Sequence, residues 1–119
     1  MNHKQEVGQL GERLAAEYLI ERGYKIIARN VKTSYKELDL IAQVDEVLVF
    51  VEVKTRTSFF LGGAQDMITK KKLQNLKRAA AIYLSRNKNN YKNLRFDFLA
   101  VDYDLNNKKA NIKHYLDII

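Results

Sequence analysis

The chain contains no cysteine and no proline. Without thiols it can build neither a disulfide framework nor a thiolate zinc site, and it cannot use a cysteine nucleophile. The same lack fits a reducing compartment. Without proline there is no proline-rich linker, and no internal repeat or low-complexity block interrupts the chain. Long apolar runs are also missing. Met1 to Gln9 is polar and charged, and no segment approaches the roughly 18 apolar residues that a membrane span requires. The expectation is a cytoplasmic protein with no membrane partner. Histidine is scarce: His3 and His114 lie near opposite ends of the chain, each without a spaced acidic or histidine partner. Surface or structural roles are expected for both.

A length of 119 residues fits one domain, taken as residues 1–119. Such a chain buries roughly two-thirds of its unfolded surface, enough for a core without metal or disulfide support. Hydrophobic residues at 46% and charged residues at 29% are ordinary for a globular protein.

Acidic residues are absent from Met67 to Phe96, where nine basic residues fall: Lys70, Lys71, Lys72, Lys77, Arg78, Arg86, Lys88, Lys92 and Arg95. The other 89 residues hold twelve basic and fourteen acidic groups, so the net charge of +7 belongs to this one segment. A concentrated basic stretch neutralises phosphates and releases their counterions, giving salt-sensitive affinity for a polyanion without sequence preference. Nucleic acid is the first candidate partner. A solvated lysine-rich helix and an anionic membrane surface are the other readings of the charge alone.

Residues Lys4 to Arg22 have helical spacing and stop at Gly23. At 100° per residue, Val7, Gly11, Ala15, Ala16, Tyr18 and Leu19 form the inward arc, and Glu6, Arg13 and Glu17 the wet face. Glu12 falls inside the inward arc. Tyr24–Val31, Glu37–Gln43 and Val47–Lys54 are rich in β-branched and large apolar residues and are predicted strands. Thr55 to Asp66, with Gly62 and Gly63, is predicted to be a loop, and Met67 to Lys88 a helix carrying most of the basic run. Leu94–Asp102 and Ala110–Leu116 complete the order αβββαββ, an α/β fold with a central mixed sheet flanked by helices.

Alternation on the third strand points Val47, Val49, Val51 and Val53 one way, and Leu48, Phe50, Glu52 and Lys54 the other. The second set turns from apolar to charged, as at the mouth of a cleft or at any strand end. On the preceding strand Glu37 and Asp39 share a face, with Leu38 and Leu40 opposite. A two-residue turn at Asp45-Glu46 sets Asp39 across from Glu52 and Glu37 across from Lys54; a three- or five-residue turn separates them. Opposed carboxylates repel unless a proton or a cation joins them. Oxygen-only ligands suit Mg²⁺, whose remaining positions take water and phosphate oxygens. Lys54 brings a cation to the same phosphate, and Glu12 supplies a third carboxylate. Each piece alone has an ordinary reading as a surface ion pair or a snorkelling acid. Together with the basic helix they make metal-assisted phosphodiester hydrolysis coherent.

Gly11-Glu12, Ala15-Ala16-Glu17-Tyr18-Leu19, Gly23-Tyr24, Arg29-Asn30, Glu37-Leu38-Asp39-Leu40-Ile41-Ala42, Val49-Phe50-Val51-Glu52-Val53-Lys54-Thr55-Arg56 and Arg95-Phe96-Asp97 run through most of the chain. With this combination the chain resembles the YraN-type family, and through it the PD-(D/E)XK nuclease superfamily and Holliday-junction resolvases. Lys36 stands where a glycine usually precedes Glu37, and Asp45 replaces a glycine of the hairpin turn. The resemblance implies a restriction-endonuclease-like αβββαββ fold, with Asp39 and Glu52 as metal ligands, Lys54 as the catalytic lysine and Glu12 as the additional helical acid. The Val53 backbone carbonyl is implied as a further ligand.

The expected chemistry is Mg²⁺- or Mn²⁺-dependent hydrolysis of DNA, including branched DNA, with water as nucleophile. Lys54 serves electrostatically, by stabilising charge on the phosphate. Arg56 is a candidate for a neighbouring phosphate, and Lys70, Lys71, Lys72, Lys77 and Arg78 for tracking the backbone. Phe59 and Phe60 are candidates for base stacking or for packing. A homodimer would suit paired cuts in a symmetric junction, by the resolvase analogy. The rival readings are a nucleic-acid-binding protein that keeps the fold without cutting, and a domain that recruits a partner.

Overall fold

A computed structural model describes residues 3–57, 68–87 and 91–119. The elements run α1 (His3–Glu21), β1 (Lys25–Lys32), β2 (Glu37–Val44), β3 (Val47–Arg56), α2 (Lys70–Arg86), β4 (Asn93–Asp104) and β5 (Lys109–Tyr115). This is the expected αβββαββ order, consistent with a restriction-endonuclease-like arrangement. Phe59, Phe60, Gly62, Gly63, Met67 and Lys88 lie outside the described residues.

Helix α1 forms around its small inward face. Gly11, Ala15, Ala16 and Leu19 are buried, while Glu6, Arg13 and Glu17 are exposed. It ends in a Schellman motif: Tyr24 N–H donates to the Leu19 carbonyl (3.0 Å) and Gly23 N–H to that of Ile20 (3.1 Å), with Gly23 at φ 89°. Helix α2 starts on Thr69, whose side chain accepts from Lys72 N–H (3.1 Å). Its buried stripe is Leu76, Ala79, Ala80 and Tyr83, so Lys70, Lys71, Lys72, Lys77, Arg78 and Arg86 lie exposed.

The five strands form one sheet in the order β1-β2-β3-β4-β5. β3 and β4 are parallel and the other neighbours antiparallel. Parallel neighbours need a crossover, and α2 lies within it. The two helices cover opposite faces. On one, Ala15, Ala16 and Leu19 of α1 pack on Leu40, Ala42, Val49, Val51, Leu99 and Val101. On the other, Leu76, Ala79, Ala80 and Tyr83 of α2 pack on Leu38, Ile41, Leu48 and Phe50. The predicted alternation along β3 is therefore present, with its valines toward α1 and Leu48 and Phe50 toward α2.

The two-residue hairpin turn also forms. Val44 pairs with Val47 across Asp45-Glu46, and Asp45 takes the left-handed φ of 52° that a short polar side chain tolerates. Beyond the turn, β2 departs from simple alternation. Leu38 joins the α2 side and Leu40 the α1 side, so these two do not share a face as expected. Pairing of β2 with β3 stops at Leu40–Val51, which removes the expected ladder positions of Asp39 across from Glu52 and Glu37 across from Lys54. From there β2 pairs only with β1, and β3 only with β4. Asn30, at φ 50°, marks the same level in β1, between partners Arg29–Leu40 and Val31–Leu38.

A second polar feature locks the far end of α1 to the sheet. Asp97 is fully buried on β4. Its oxygens accept from Arg95 at 2.9 and 2.8 Å and from the Asp117 N–H at 2.9 Å, and Oδ2 lies 2.8 Å from His114 Nε2. Arg95 also donates to the Tyr24 hydroxyl (2.7 Å). Burial would raise the Asp97 pKa, but the hydrogen bonds from His114, Arg95 and Asp117 outweigh it and hold the carboxyl below its ordinary range. His114 thus has the structural place expected for it, and His3 is exposed.

Two outcomes follow for stability, both measurable by urea unfolding. Asp97→Ala strands the Arg95 guanidinium and should cost about 3–5 kcal/mol, with Asp97→Asn milder. At Gly11 a Cβ would lie 1.6 Å from Thr55 Oγ1. Overpacking of about 1–3 kcal/mol exceeds the roughly 0.5–1 kcal/mol helix gain of alanine, so Gly11→Ala should destabilise the protein.

Candidate metal centre

The opening between β2 and β3 is where the acids meet. Asp39 turns its carboxylate into the gap, and Oδ2 accepts the Val53 backbone N–H at 2.9 Å. A side chain thus takes the place of a main-chain acceptor at the point where the ladder ends. Carboxylate oxygens of Glu12, Glu37 and Asp39 all lie within 4.8 Å of one another. Glu12 reaches the group from α1, one residue after the close contact of Gly11 with Thr55 at the end of β3. The Asn30 amide, with its nitrogen toward the acids, donates to Glu12 Oε1 (2.9 Å) and Glu37 Oε1 (3.1 Å). Glu52 meets Asp39 from the other side through a side-chain hydrogen bond.

Electrostatics follow from this crowding. Burial, the hydrogen bond to Glu52, and repulsion from Glu52 and Glu12 push the Asp39 pKa up to about 9, against the pull of the Val53 N–H. Glu12 is also raised, first by burial and then by repulsion from Glu37 and Glu52, although its hydrogen bond with Asp39 opposes the rise. Without a cation, Asp39 holds a proton at neutral pH. The donor set is entirely oxygen, which suits a hard divalent cation such as Mg²⁺ or Mn²⁺. The cluster is also accessible: Glu12 lines a groove with Gln5, Gly8 and Gln9 along α1, and Glu52 lines a crevice with Ile68, Lys72, Leu73, Leu76, Phe98 and Ile118 beside α2.

Of the expected site residues, Glu12, Asp39 and Glu52 come together, and the backbone of Val53 is hydrogen-bonded to Asp39. Lys54 is exposed near the end of β3 and makes no ion pair among the described residues. Arg56 is engaged by Asp102 on β4, at 2.9 Å through Nε and 3.3 Å through Nη2, rather than held open for phosphate. Lys72 lines the Glu52 crevice, and Lys70, Lys71 and Lys77 lie exposed on α2. Arg78 stacks over Tyr35, 5.0 Å from ring centre. Sequence reasoning missed the part played by three residues. Glu37, matched with Lys54 by strand parity, instead joins Glu12 and Asp39. Asn30 carried a signal as part of the Arg29-Asn30 motif, which assigned it no part among the acids. Lys36, which pairs with Glu52, was visible only as the residue before Glu37.

Comparison with known proteins agrees with the motifs. The model of the Uncharacterised protein family UPF0102 matches residues 11–101, which include Glu12, Asn30, Glu37, Asp39, Glu52 and Lys54. A UPF0102 protein of Syntrophomonas wolfei is 42% identical over 112 residues, covering 94% of this chain and 96% of its own. One of Symbiobacterium thermophilum is 47% identical over 96 residues, covering 81% of each chain. A third, of Flavobacterium johnsoniae, is 39% identical over 120 residues, covering 98% of this chain and 96% of its own. Matching over this much of the chain, at this identity, the protein belongs to the Uncharacterised protein family UPF0102.

Proposed function

We propose that the protein is a Mg²⁺- or Mn²⁺-dependent nuclease acting on DNA, with the acidic cluster as its metal centre. The observation that carries this reading is the convergence of Glu12, Glu37 and Asp39 oxygens within 4.8 Å, joined by Glu52 from across the β2–β3 gap. Asp39 and Glu52, with the Val53 carbonyl and Glu12, would hold the ion. When bound, the ion supplies Lewis acidity toward water and the scissile phosphate.

The remaining work falls to the chain. Glu37 and Glu12, joined through Asn30, orient the acids and accept hydrogen bonds from water. The exposed Lys54 ammonium stabilises charge developing on the phosphate oxygens. Lys70, Lys71 and Lys72, at the start of α2 beside the Glu52 crevice, neutralise neighbouring phosphates. Basic and acidic surfaces thus adjoin, as strand cleavage requires: one holds the polyanion and the other activates water. Branched DNA is the substrate favoured by the resolvase resemblance.

A direct test incubates the protein with labelled junction, flap, linear and single-stranded DNA in Mg²⁺, Mn²⁺ or EDTA. Metal-dependent products should fall at least about a hundredfold in Asp39→Ala and in Lys54→Ala. Salt-sensitive binding with no product on any substrate would instead establish a binding protein on this fold. Neutralising Lys70, Lys71 and Lys72 together should weaken DNA binding and flatten its log-salt slope by about three phosphate contacts.

Proton linkage supplies a further measurement. An ion taking Asp39 must displace the proton held with a pKa of about 9. Binding releases that proton, so Mn²⁺ affinity measured by calorimetry should rise with pH, approaching about tenfold per unit below 9 and levelling above it. In the folded form without metal the Asp39 pKa lies well above the ordinary carboxylate range, so its contribution to stability is present at low pH and lost as pH rises through about 9. Asp39→Asn should remove both dependences.

A further inference from the structure

Glu52 already has a cation. Lys36 Nζ forms an ion pair with Glu52 Oε2, and the two side chains are only 24% and 23% exposed. The ammonium arrives from an ordered turn between β1 and β2. Thr33 Oγ1 accepts from the backbone N–H groups of Tyr35 (3.1 Å) and Lys36 (3.0 Å) and donates to the Lys36 carbonyl (2.6 Å). The same turn is tied to α2, because the Tyr35 hydroxyl accepts from Arg78 while its ring lies under the guanidinium. One short segment therefore spans the β2–β3 gap, with one contact on the acids and one on the basic helix.

We propose that Lys36 is the resident counter-ion of Glu52, competing with the divalent cation for that carboxylate and setting the concentration at which the site fills. This rests on reading the acidic cluster as a metal centre. A carboxylate oxygen held in a partly buried ion pair cannot present the same lone pairs to a metal at about 2.1 Å, and two cations a few ångströms apart repel strongly where water is partly excluded. Filling the site requires Lys36 to withdraw. The backbone that carries it is held in place, because Thr33 bonds the Lys36 N–H and Arg78 bonds the neighbouring Tyr35, so the movement falls to the side chain. Lys54 differs: it is exposed on β3 and has no ion pair among the described residues, so it does not compete for Glu52 in this way. The other charged groups around the carboxylate are Asp39 and Glu12 on one side and Lys72 in the crevice on the other.

Isothermal titration of the full chain with Mn²⁺ tests the assignment without reference to cleavage. Lys36→Met, which keeps the stem and removes the charge, should tighten Mn²⁺ binding by about fivefold or more; Lys36→Gln is the second variant should Met fail to fold. Lys32→Met, an exposed charge on β1 opposite Glu37, measures the general effect of deleting a nearby positive charge and should change the affinity less than twofold. In a Glu52→Gln background, Lys36→Met should have no effect. Unchanged or weaker binding in both Lys36 variants, or an equal gain in Lys32→Met, would overturn the assignment while leaving the metal centre in place. Failure of both the wild type and the Lys36 variants to bind Mn²⁺ would remove the metal centre and this proposal with it.

Discussion

The site depends on one hydrogen bond between a side chain and the main chain: Val53 N–H to Asp39 Oδ2 at 2.9 Å. An amide buried in a sheet and left without an acceptor costs about 1–3 kcal/mol, so two strands cannot separate in the interior without a replacement. Asp39 provides it. β2 can then leave β3 after Leu40–Val51, and the gap admits carboxylates from three elements. Had the ladder continued, Glu37 and Asp39 would face the α2 side, with the sheet between them and Glu12 of α1. The break turns Asp39 toward Glu12 and still leaves it in contact with Glu52.

Two aspartates, Asp97 fully buried and Asp39 half-buried, have surroundings that drive them in opposite directions. Asp97 is enclosed by Arg95, His114 and the Asp117 N–H, all of which stabilise its charge, and its pKa is lowered. Asp39 is enclosed by Glu52, Glu12 and, among the described residues, the single Val53 N–H donor, and its pKa is raised to about 9. The first arrangement is satisfied as it stands and ties β4 to the chain end beyond β5. The second is satisfied only by a proton or an added cation. That difference separates an acid whose charge the fold satisfies from one that calls for a proton or a cation.

Much of the architecture was legible before any coordinates. The small-residue face of α1, the valine alternation of β3, the Asp45-Glu46 turn and the basic outer face of α2 all follow from local periodicity and charge. Glu12 is legible from its place on the inward arc of α1, and Asp39 and Glu52 from their opposition across the hairpin, although the ladder ends before it reaches them. The parts that were not legible share one cause. Parity reasoning assumes a continuous ladder, and the ladder is broken at Asp39, so Glu37 was matched with Lys54 rather than with Glu12. Arg56 was offered to phosphate because nothing local reveals Asp102, its partner forty-six residues later. Lys36 was seen only as an unusual neighbour of Glu37, since its ion pair with Glu52 spans sixteen residues.

The amino-acid sequence by itself determined the family, the order of elements and where acidic and basic residues concentrate. Only the tertiary structure decided that the acids converge from both sides of a sheet and that a lysine already occupies one of them. The physical reason is that convergence rests on a contact between Asp39 and Val53, fourteen residues apart. Helical and strand periods describe how a segment meets its own neighbours. They carry no information about where one strand stops pairing with the next.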